Sequence, residues 1–356
     1  MTLVVIADDL SGASEALCSM GMLGTPIWLY GSTEEELFHL LAGDSPLAVD
    51  SNLRVLDHAG AAARTSKLHK ALQNSETPRI LFYKVDSLLR GHIETLLVET
   101  SKTGPVLVAT ANPPTSRTTV GGVIYVDGVL LSDANLWDAE LTSAPKSIAA
   151  AAGSASVAHV SLEIVRGPAN KLVEALSKIF LDQEIAVCDC ETDQDLRLLV
   201  AASIGFAGVT YVGAASLGKA VAGHINLNIE SPTQPKTYGG NVAVIVGSES
   251  DASVSQLKFL RNQTELTGVT INILDDETFG GGDLVLTGGA TARAVIDALK
   301  FNWIKPLLEI EPGSVLNLLT DGRLAVIKPG SYGSQKALFN AVQYLKQLNE
   351  TEVRSS

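Results

Sequence analysis

The run Leu3-Val4-Val5-Ile6-Ala7-Asp8-Asp9-Leu10-Ser11-Gly12-Ala13 is the most informative part of the chain for its architecture. Its apolar, β-branched start predicts a buried strand, and the polar residues that follow predict a turn into a helix over Ala13–Leu23. Residues 1–9 lack the basic region that begins a signal peptide, so a strand is expected there instead. A strand followed directly by a helix is the first half of a unit typical of α/β proteins.

Short apolar runs alternate with amphipathic stretches along the whole chain. This alternation predicts an α/β fold of two domains, each a mostly parallel sheet flanked by helices, with ligands bound beyond the carboxyl ends of strands. The first seven expected strands are Leu3–Ala7, Pro26–Tyr30, Arg79–Val85, Pro105–Ala109, Ala158–Leu162, Glu184–Cys188 and Val209–Val212. The amphipathic helices expected among them are His58–Leu72, Pro168–Phe180 and Asp193–Ser203.

A proline- and glycine-containing stretch, Asn226–Gly240, is the best candidate for a linker. We therefore expect an N-terminal domain over residues 1–228, a linker over 229–240 and a C-terminal domain over 241–356. The pattern restarts after the linker. The expected elements there are strands Val242–Val246, Val269–Leu274, Leu284–Thr287 and Leu324–Ile327, and helices Ser253–Gln263, Ala290–Leu299 and Ser334–Leu348.

Composition excludes several classes of protein. Lys and Arg number 26 against 39 Asp and Glu, a net charge of −13, so an extended nucleic-acid-binding surface is not expected. No apolar run approaches the roughly 20 residues that span a membrane. Three cysteines, of which Cys188-x-Cys190 has no second pair, favour a reducing, cytoplasmic location without zinc. No metal-ligand spacing is present, so no resident metal site is predicted.

Two polar clusters follow strands of the first domain. In the first, Asp8 and Asp9 could accept a proton or hold Mg²⁺, or could simply cap a helix with Ser11. In the second, Lys84-Val85-Asp86-Ser87-Leu88-Leu89-Arg90-Gly91, the cations suit a small anion, or form an internal ion pair with Asp86.

Two further turns in this domain carry weaker signals. The loop Pro113-Pro114-Thr115-Ser116-Arg117-Thr118 either presents Arg117 to a ligand or is an ordinary rigid loop before an Asp127-Gly128 hairpin. Gly213-Ala214-Ala215-Ser216-Leu217-Gly218-Lys219-Ala220 nearly matches a P-loop, but Ala220 stands where Mg²⁺ binding needs a hydroxyl. We therefore do not expect a working P-loop.

Glycine-rich turns in the second domain favour phosphate binding through backbone N–H groups, with helix capping as the alternative. They are Val246-Gly247-Ser248-Glu249-Ser250, Leu286-Thr287-Gly288-Gly289-Ala290-Thr291 and Lys328-Pro329-Gly330-Ser331-Tyr332-Gly333.

Together these motifs resemble those of the four-carbon acid sugar kinase family, in order and over nearly the whole chain. Ala7–Ala13 is similar to the family's A-D-D-L-T-G-A, and Lys84–Gly91 to K-x-D-S-T-L-R-G with Leu88 in place of Thr. Pro113–Thr118 resembles F-P-x-x-G-R-T with Pro113 in place of Phe and Ser116 in place of Gly. Gly288–Thr291 resembles G-G-D/E-T with Ala290 replacing the acid, and Lys328–Gly333 resembles K-S/P-G-x-F-G.

The resemblance implies ATP-dependent phosphorylation of threonate, erythronate or a 3-oxo-tetronate on its terminal hydroxyl, with Mg²⁺. It implies that the first domain holds the sugar acid and the second holds ATP, with the active site in the cleft between the domains. We expect Asp9, or failing that Asp8 or Asp86, to accept the hydroxyl proton or orient Mg²⁺. The expected substrate-binding residues are Ser11, Gly12, Lys84, Ser87, Arg90, Gly91, Arg117 and Thr118. The expected nucleotide-binding residues are Gly247, Ser248, Ser250, Gly288, Gly289, Ala290, Thr291, Lys328, Gly330 and Gly333.

Two other functions stay open. Leu88 and Ala290 favour a sugar-acid or nucleotide sensor that descends from such a kinase but does not turn over. A kinase of another small hydroxy acid is the second alternative. The expected partners are the sugar acid and ATP, and a homodimer is the default assembly for an α/β enzyme of this kind.

Overall fold

A computed structural model describes residues 2–31, 34–43, 45–75, 78–134, 136–137, 140, 142–225, 241–263, 268–272 and 282–353. The chain divides into two compact units. The first comprises Met1–Asp8, Ser19–Gly21 and Glu34–Asn228, and the second Asp9–Cys18, Met22–Thr33 and Ile229–Ser356. The predicted linker over 229–240 lies outside the described residues.

The described strands, in chain order, are β1 Thr2–Ala7, β2 Ile27–Leu29, β3 Leu47–Asp50, β4 Arg79–Lys84, β5 Val106–Ala109, β6 Arg117–Val120, β7 Val123–Val126, β8 Val129–Leu130, β9 Val157–Val160, β10 Ile185–Cys188, β11 Thr210–Gly213, β12 Val242–Val246, β13 Val269–Asn272, β14 Asp283–Thr287, β15 Trp303–Glu311, β16 Ser314–Leu319 and β17 Leu324–Lys328.

The described α-helices are α1 Leu10–Ser19, α2 Glu34–Ala42, α3 His58–Gln73, α4 Ile93–Ser101, α5 Ile148–Ala152, α6 Leu162–Val165, α7 Ala169–Leu181, α8 Asp193–Ser203, α9 Ala215–His224, α10 Asp251–Arg261, α11 Gly289–Ala298 and α12 Ala337–Val353.

The sheet of the first unit is parallel throughout its described strands, in the order β3-β1-β4-β11-β5-β10-β9. All six residues of β1 are buried, as expected for a central strand covered on both faces. A separate antiparallel sheet, β6-β7-β8, contains the predicted hairpin, and Asp127 and Gly128 both have positive φ, as its two-residue turn requires. The prediction of a parallel α/β sheet is confirmed here.

The sheet of the second unit is mixed. Strands β13, β12, β14 and β17 pair in parallel, whereas β16, β15 and β2 continue the sheet in antiparallel pairs. Its core forms where helices α10 and α12 cover the sheet. Val244 and Val285 of the central strands are buried together with Leu260 of α10 and with Leu338 and Val342 of α12. The apolar runs that predict strands and helices here therefore share one core.

Four strands are absent from the sequence-based expectations: β3, β6, β15 and β16. β3 has only three apolar residues, Leu47-Ala48-Val49, before Asp50, which is too short a run to indicate a strand. β15 contains Pro306 and two register shifts against β16, which interrupt the alternation that marks a strand. Most expected elements elsewhere agree with the structure to within two residues. Two helices differ more: α1 begins at Leu10, three residues before its predicted start, and ends at Ser19, and α12 begins at Ala337, three residues after its predicted start, and ends at Val353.

The contiguous domain division differs from the structure at Asp9–Cys18 and Met22–Thr33, which belong to the second unit. The reason is pairing that the sequence does not reveal. Strand β2 pairs with β15, Trp28 opposite Trp303, and the Ser14 hydroxyl donates to the Asn317 side chain at 2.9 Å.

Two glycines of helix α9 provide a matched test of the packing. A Cβ at Gly218 would lie 2.7 Å from the Phe82 ring, whereas Gly223 has no neighbouring atom within 4 Å. We expect Gly218→Ala to lower the free energy of unfolding by about 1–3 kcal/mol through overpacking. Gly223→Ala should leave it unchanged or raise it by up to about 1 kcal/mol. Urea unfolding measures both, and equal effects would contradict this packing.

Candidate functional site

The carboxyl ends of five strands lie in register at one edge of the first sheet. The aligned residues are Asp50, Ala7, Lys84, Gly213 and Ala109. The Asp8 amide donates to the Lys84 carbonyl at 3.2 Å, so the polar residues after β1 and β4 are held side by side. This is the edge at which the strand order predicts a ligand.

Asp86 is the centre of a cluster of arginines. Its carboxylate accepts a hydrogen bond from the Arg90 side chain, with which it forms an ion pair. Burial opposes ionisation of Asp86, but the charges of Arg90, Arg54 and Arg117 outweigh it and hold its pKa below the usual range. Asp86 is therefore an anion that organises these cations, and a poor proton acceptor.

The second and third motifs of the sequence meet in this cluster. The Arg117 guanidinium donates to the Ser87 hydroxyl, and both side chains are buried. Thr118, the next residue on β6, is half-buried and alternates to the other face of the strand. The structure thus brings Arg117 to Ser87 and directs Thr118 elsewhere.

Asp8 lies beside the loop that ends in Gly91. A Cβ built on Gly91, whose φ is +95°, would come within 3.5 Å of Asp8 Oδ2 and 3.3 Å of Arg54 Cγ. Arg54 belongs to the segment after β3. The sequence motifs include neither this segment nor Arg54. The arginine in Asp50-Ser51-Asn52-Leu53-Arg54 is the available signal, because it follows a buried strand.

Lys84 and Leu88 complete this side of the first unit. Lys84 is buried, and its ammonium donates to the Val85 carbonyl at 3.3 Å. Leu88 is also buried, and its carbonyl accepts a hydrogen bond from the Trp137 indole at 3.1 Å. An apolar side chain therefore fills the position where the family pattern has a hydroxyl.

Asp9 belongs to the second unit and caps helix α1. Its Oδ1 accepts hydrogen bonds from the Ser11 hydroxyl at 2.8 Å and the Gly12 amide at 2.6 Å. The capping alternative considered from the sequence therefore describes the local geometry of Asp9. Asp8 and Asp9, although adjacent, have side chains in different surroundings.

The start of α1 lies against the start of α11 within the second unit. A Cβ on Gly289 would be 3.0 Å from Ser11 Oγ and 3.1 Å from Asp9 Cγ. Because a side chain at Gly289 would crowd both residues, this close approach requires glycine. The Asp9 carboxylate and the Ser11 hydroxyl consequently lie next to the N-termini of both α1 and α11.

The glycine-rich turns of the second unit interlock. The Gly288 amide donates to the Lys328 carbonyl at 2.9 Å, and a Cβ on Gly247 would overlap the Thr291 hydroxyl. The Gly330 carbonyl accepts from the Ser250 and Ser253 hydroxyls, both at 2.8 Å.

The remaining predicted nucleotide-binding residues lie around these turns. Ser248 lies against Gly330, whose Cβ would overlap its hydroxyl, and the Gly333 carbonyl accepts from the Gln256 amide at 3.2 Å. Ala290 is exposed in the first turn of α11. The three turns predicted separately thus form one connected surface.

Lys328 is fully buried at the end of β17, and its ammonium donates to the Pro329 carbonyl at 2.9 Å. Burial lowers the pKa of Lys328 to about 8, and the charge of Glu311 opposes that shift. Burial likewise raises the pKa of Glu311. A buried lysine beside glycine-rich turns can meet a phosphate without a competing water shell.

The P-loop-like turn has a packing explanation. A Cβ on Gly213 would overlap the Ala109 carbonyl oxygen, and Gly218 lies against Phe82. Both glycines are therefore required by contacts inside the first unit. No group of three or more His, Cys, Asp or Glu side chains suited to a metal occurs among the described residues.

Two known families match the chain, one over each half of the sequence. A family described as "Sugar-binding N-terminal domain" matches residues 3–221, and one described as "Nucleotide-binding C-terminal domain" matches residues 266–338. The chain belongs to the four-carbon acid sugar kinase family that these two domains define. It is accordingly a phosphotransferase.

Two curated relatives match most of the chain. D-Threonate kinase of Cupriavidus necator is 28% identical, over 98% of this chain and 99% of the relative. D-Erythronate kinase of Heliobacterium modesticaldum is 24% identical, over 88% of this chain and 72% of the relative. Both relatives are named as kinases of four-carbon sugar acids, and they support the assignment of this chain to that class of enzyme.

Two solved structures share the fold. A Haemophilus influenzae protein of this family aligns with a TM-score of 0.69 at 17% identity, covering 96% of this chain and all of its own. A Bordetella bronchiseptica protein, a domain-swapped dimer with bound citrate, aligns with a TM-score of 0.52 at 22% identity, covering 97% of this chain and 98% of its own.

Among the helices that the structure describes, none is long and apolar enough to cross a membrane.

The buried charge of Lys328 predicts a dependence of stability on pH. Below about pH 8 the folded protein holds a buried cation, whereas above it the folded state releases the proton before the unfolded state does. We expect Lys328→Met to raise the free energy of unfolding by about 2–3 kcal/mol at pH 7, and this gain to shrink by about 2 kcal/mol at pH 9.5. Urea unfolding at both pH values measures it. A gain that does not change with pH would contradict the lowered pKa of Lys328.

Proposed function

We propose that this protein transfers the γ-phosphoryl group of ATP to the terminal hydroxyl of a four-carbon sugar acid, with threonate and erythronate as the first candidates. The hydroxyl oxygen would bond to the γ-phosphorus, the bond from that phosphorus to the β–γ bridging oxygen would break, and ADP would leave with the electron pair. The hydroxyl proton would pass to a carboxylate of the protein. A 3-oxo-tetronate is a further candidate substrate.

The contact of Asp9 and Ser11 with Gly289 carries this proposal. It joins the residue expected to act on the transferred group to the turn expected to bind phosphate, inside one unit. N-terminal amides of α1 and α11 favour an anion at this place. A helix cap alone would not require Gly289 to approach a second helix start so closely.

The residues of this place fit Mg²⁺ with a nucleotide. Magnesium in kinases is bound by one or two carboxylates together with phosphate oxygens, and Asp9 supplies a carboxylate beside the Gly288-Gly289 turn. Mg²⁺ would supply neutralisation of the charge that develops on the phosphates. Lys328 and the amides of the turns would hold the nucleotide's phosphates.

The arginine cluster of the first unit supports a sugar acid as the acceptor. Arg90, Arg117 and Lys84 offer cationic donors to a carboxylate, and Asp8 offers an acceptor to hydroxyl groups. Asp86 is committed to Arg90, which favours Asp9 over Asp86 either as the proton acceptor or, in the alternative, as the Mg²⁺ ligand. The location of the reaction in a cleft between the domains stays a prediction, as do the cytoplasmic location and the homodimer.

A substrate panel tests the function. ADP formation is followed with Mg²⁺-ATP and each of D- and L-threonate, D- and L-erythronate and their 3-oxo forms. We expect turnover with at least one acid. Binding of an acid or of ATP without any ADP formation would instead support a non-catalytic sensor. Turnover only with hydroxy acids outside this panel would indicate a kinase of another small hydroxy acid.

Asp9→Asn separates the charge of Asp9 from its capping role, because Asn caps helices about as well as Asp. We expect kcat to fall by at least about 100-fold, a size typical of losing a general base, while the folded state is kept. Asp193→Asn, at the first residue of α8 in the other unit, is the matched control and should keep the wild-type rate. A wild-type rate in Asp9→Asn would remove Asp9 from the mechanism.

A further inference from the structure

We propose that Arg54 binds the carboxylate of the sugar acid and, with Asp8, selects acids that carry a hydroxyl next to that carboxylate. This inference rests on the proposed function and adds Arg54, a residue that the sequence motifs do not contain, to Asp8 of the first motif. It is argued from the segment that holds Arg54, its position beside Asp8 and the charges around it.

The segment after β3 is firmly held at the ligand-binding edge of the first sheet. The Leu53 amide donates to the Asp8 carbonyl at 3.1 Å, and the Arg64 side chain donates to the Ser51 carbonyl at 2.7 Å. The His92 ring hydrogen-bonds the Leu56 carbonyl at 2.7 Å, which ties this segment to the loop that contains Arg90. Arg54 therefore stands on a backbone anchored to both acid-bearing loops.

The Arg54 stem and the Asp8 carboxylate both lie beside Gly91. The missing side chain at Gly91 leaves room for the Arg54 stem and the Asp8 carboxylate, both within 3.5 Å of where a Cβ would stand. The Arg54 side chain and the Asp8 carboxylate lie beside the same glycine, and their polar ends can offer donors and an acceptor to one ligand. A carboxylate with a neighbouring hydroxyl is complementary to that pair, because the acid accepts from Arg54 and the hydroxyl donates to Asp8.

Three arginines close to Asp86 are a second reason to expect an anion here. Asp86 already has Arg90 as its hydrogen-bonded partner, yet Arg54 and Arg117 also lie close enough to lower its pKa. The charge of Arg54 also acts to lower the pKa of Arg90, whereas the charges of Asp86 and Glu140 raise it. A bound carboxylate would be a further anion within reach of these guanidinium groups, in the same way as Asp86.

The test measures acid binding without nucleotide and turnover with it. Thermal unfolding of wild type, Arg54→Gln, Arg54→Lys and the matched control Arg197→Gln is followed with and without D-threonate and D-erythronate. Arg197 is an exposed arginine of α8 that bonds Gln194. We expect the acid to raise the Tm of wild type and Arg197→Gln, to raise that of Arg54→Lys less, and to leave Arg54→Gln unchanged.

Kinetics distinguish a binding role from a structural one. Arg54→Gln should raise the KM for the sugar acid by roughly 10- to 100-fold, with the KM for ATP unchanged. A 2-deoxy acid should bind wild type more weakly than the 2-hydroxy acid, and Asp8→Ala should remove that preference. Unchanged acid KM and Tm shift in Arg54→Gln would overturn the inference, as would a KM for ATP that rises equally.

Failure of the proposed function gives a different result. In that case wild type forms no ADP with any acid, while an acid-induced Tm shift that depends on Arg54 still supports this inference. Wild type that is neither stabilised by nor active on any acid would overturn both.

Discussion

Parallel pairing of β1 with β4 places the polar segments that follow both strands at one edge of a sheet. The backbone bond from Asp8 to Lys84 extends that pairing one residue beyond β1, so Asp8 cannot move away from the loop that contains Asp86 and Arg90. The next residue, Asp9, already belongs to the second unit and begins a helix. The register of β1 and β4 thus determines where Asp8 stands, and the cap of α1 determines where Asp9 stands.

Two glycines allow the close approaches on which both candidate ligand sites depend. Gly91 leaves room for Asp8 and Arg54, and Gly289 leaves room for Asp9 and Ser11. A side chain is disfavoured at Gly91 by its φ of +95°, and at Gly289 because an added Cβ would crowd the Asp9 carboxylate and the Ser11 hydroxyl. By contrast, Gly213 and Gly218 are required by packing inside the first unit, which explains how a P-loop-like spacing arises without a phosphate site.

Much of the fold follows from local pattern, because buried parallel strands such as β1 and β12 are continuous apolar runs followed by turn residues. The motif residues are also identifiable, since charged and glycine-rich segments follow those strands. Arg54 is not, because β3 has only three apolar residues before Asp50 and the arginine lies four residues beyond the strand. The assignment of Asp9–Cys18 to the second unit depends on pairing of β2 with β15, a contact between residues far apart in sequence that periodicity cannot show.

A crystal structure with a sugar acid, Mg²⁺ and a non-hydrolysable ATP analogue would decide whether neighbouring carboxylates serve different ligands. We expect the acid's carboxylate against Arg54, Arg90 and Arg117 with a hydroxyl on Asp8, and the phosphates on the Gly288-Gly289 turn with the metal beside Asp9. Phosphates bound instead at the Gly213–Gly218 turn, or an acid bound away from the arginines, would contradict this division of roles.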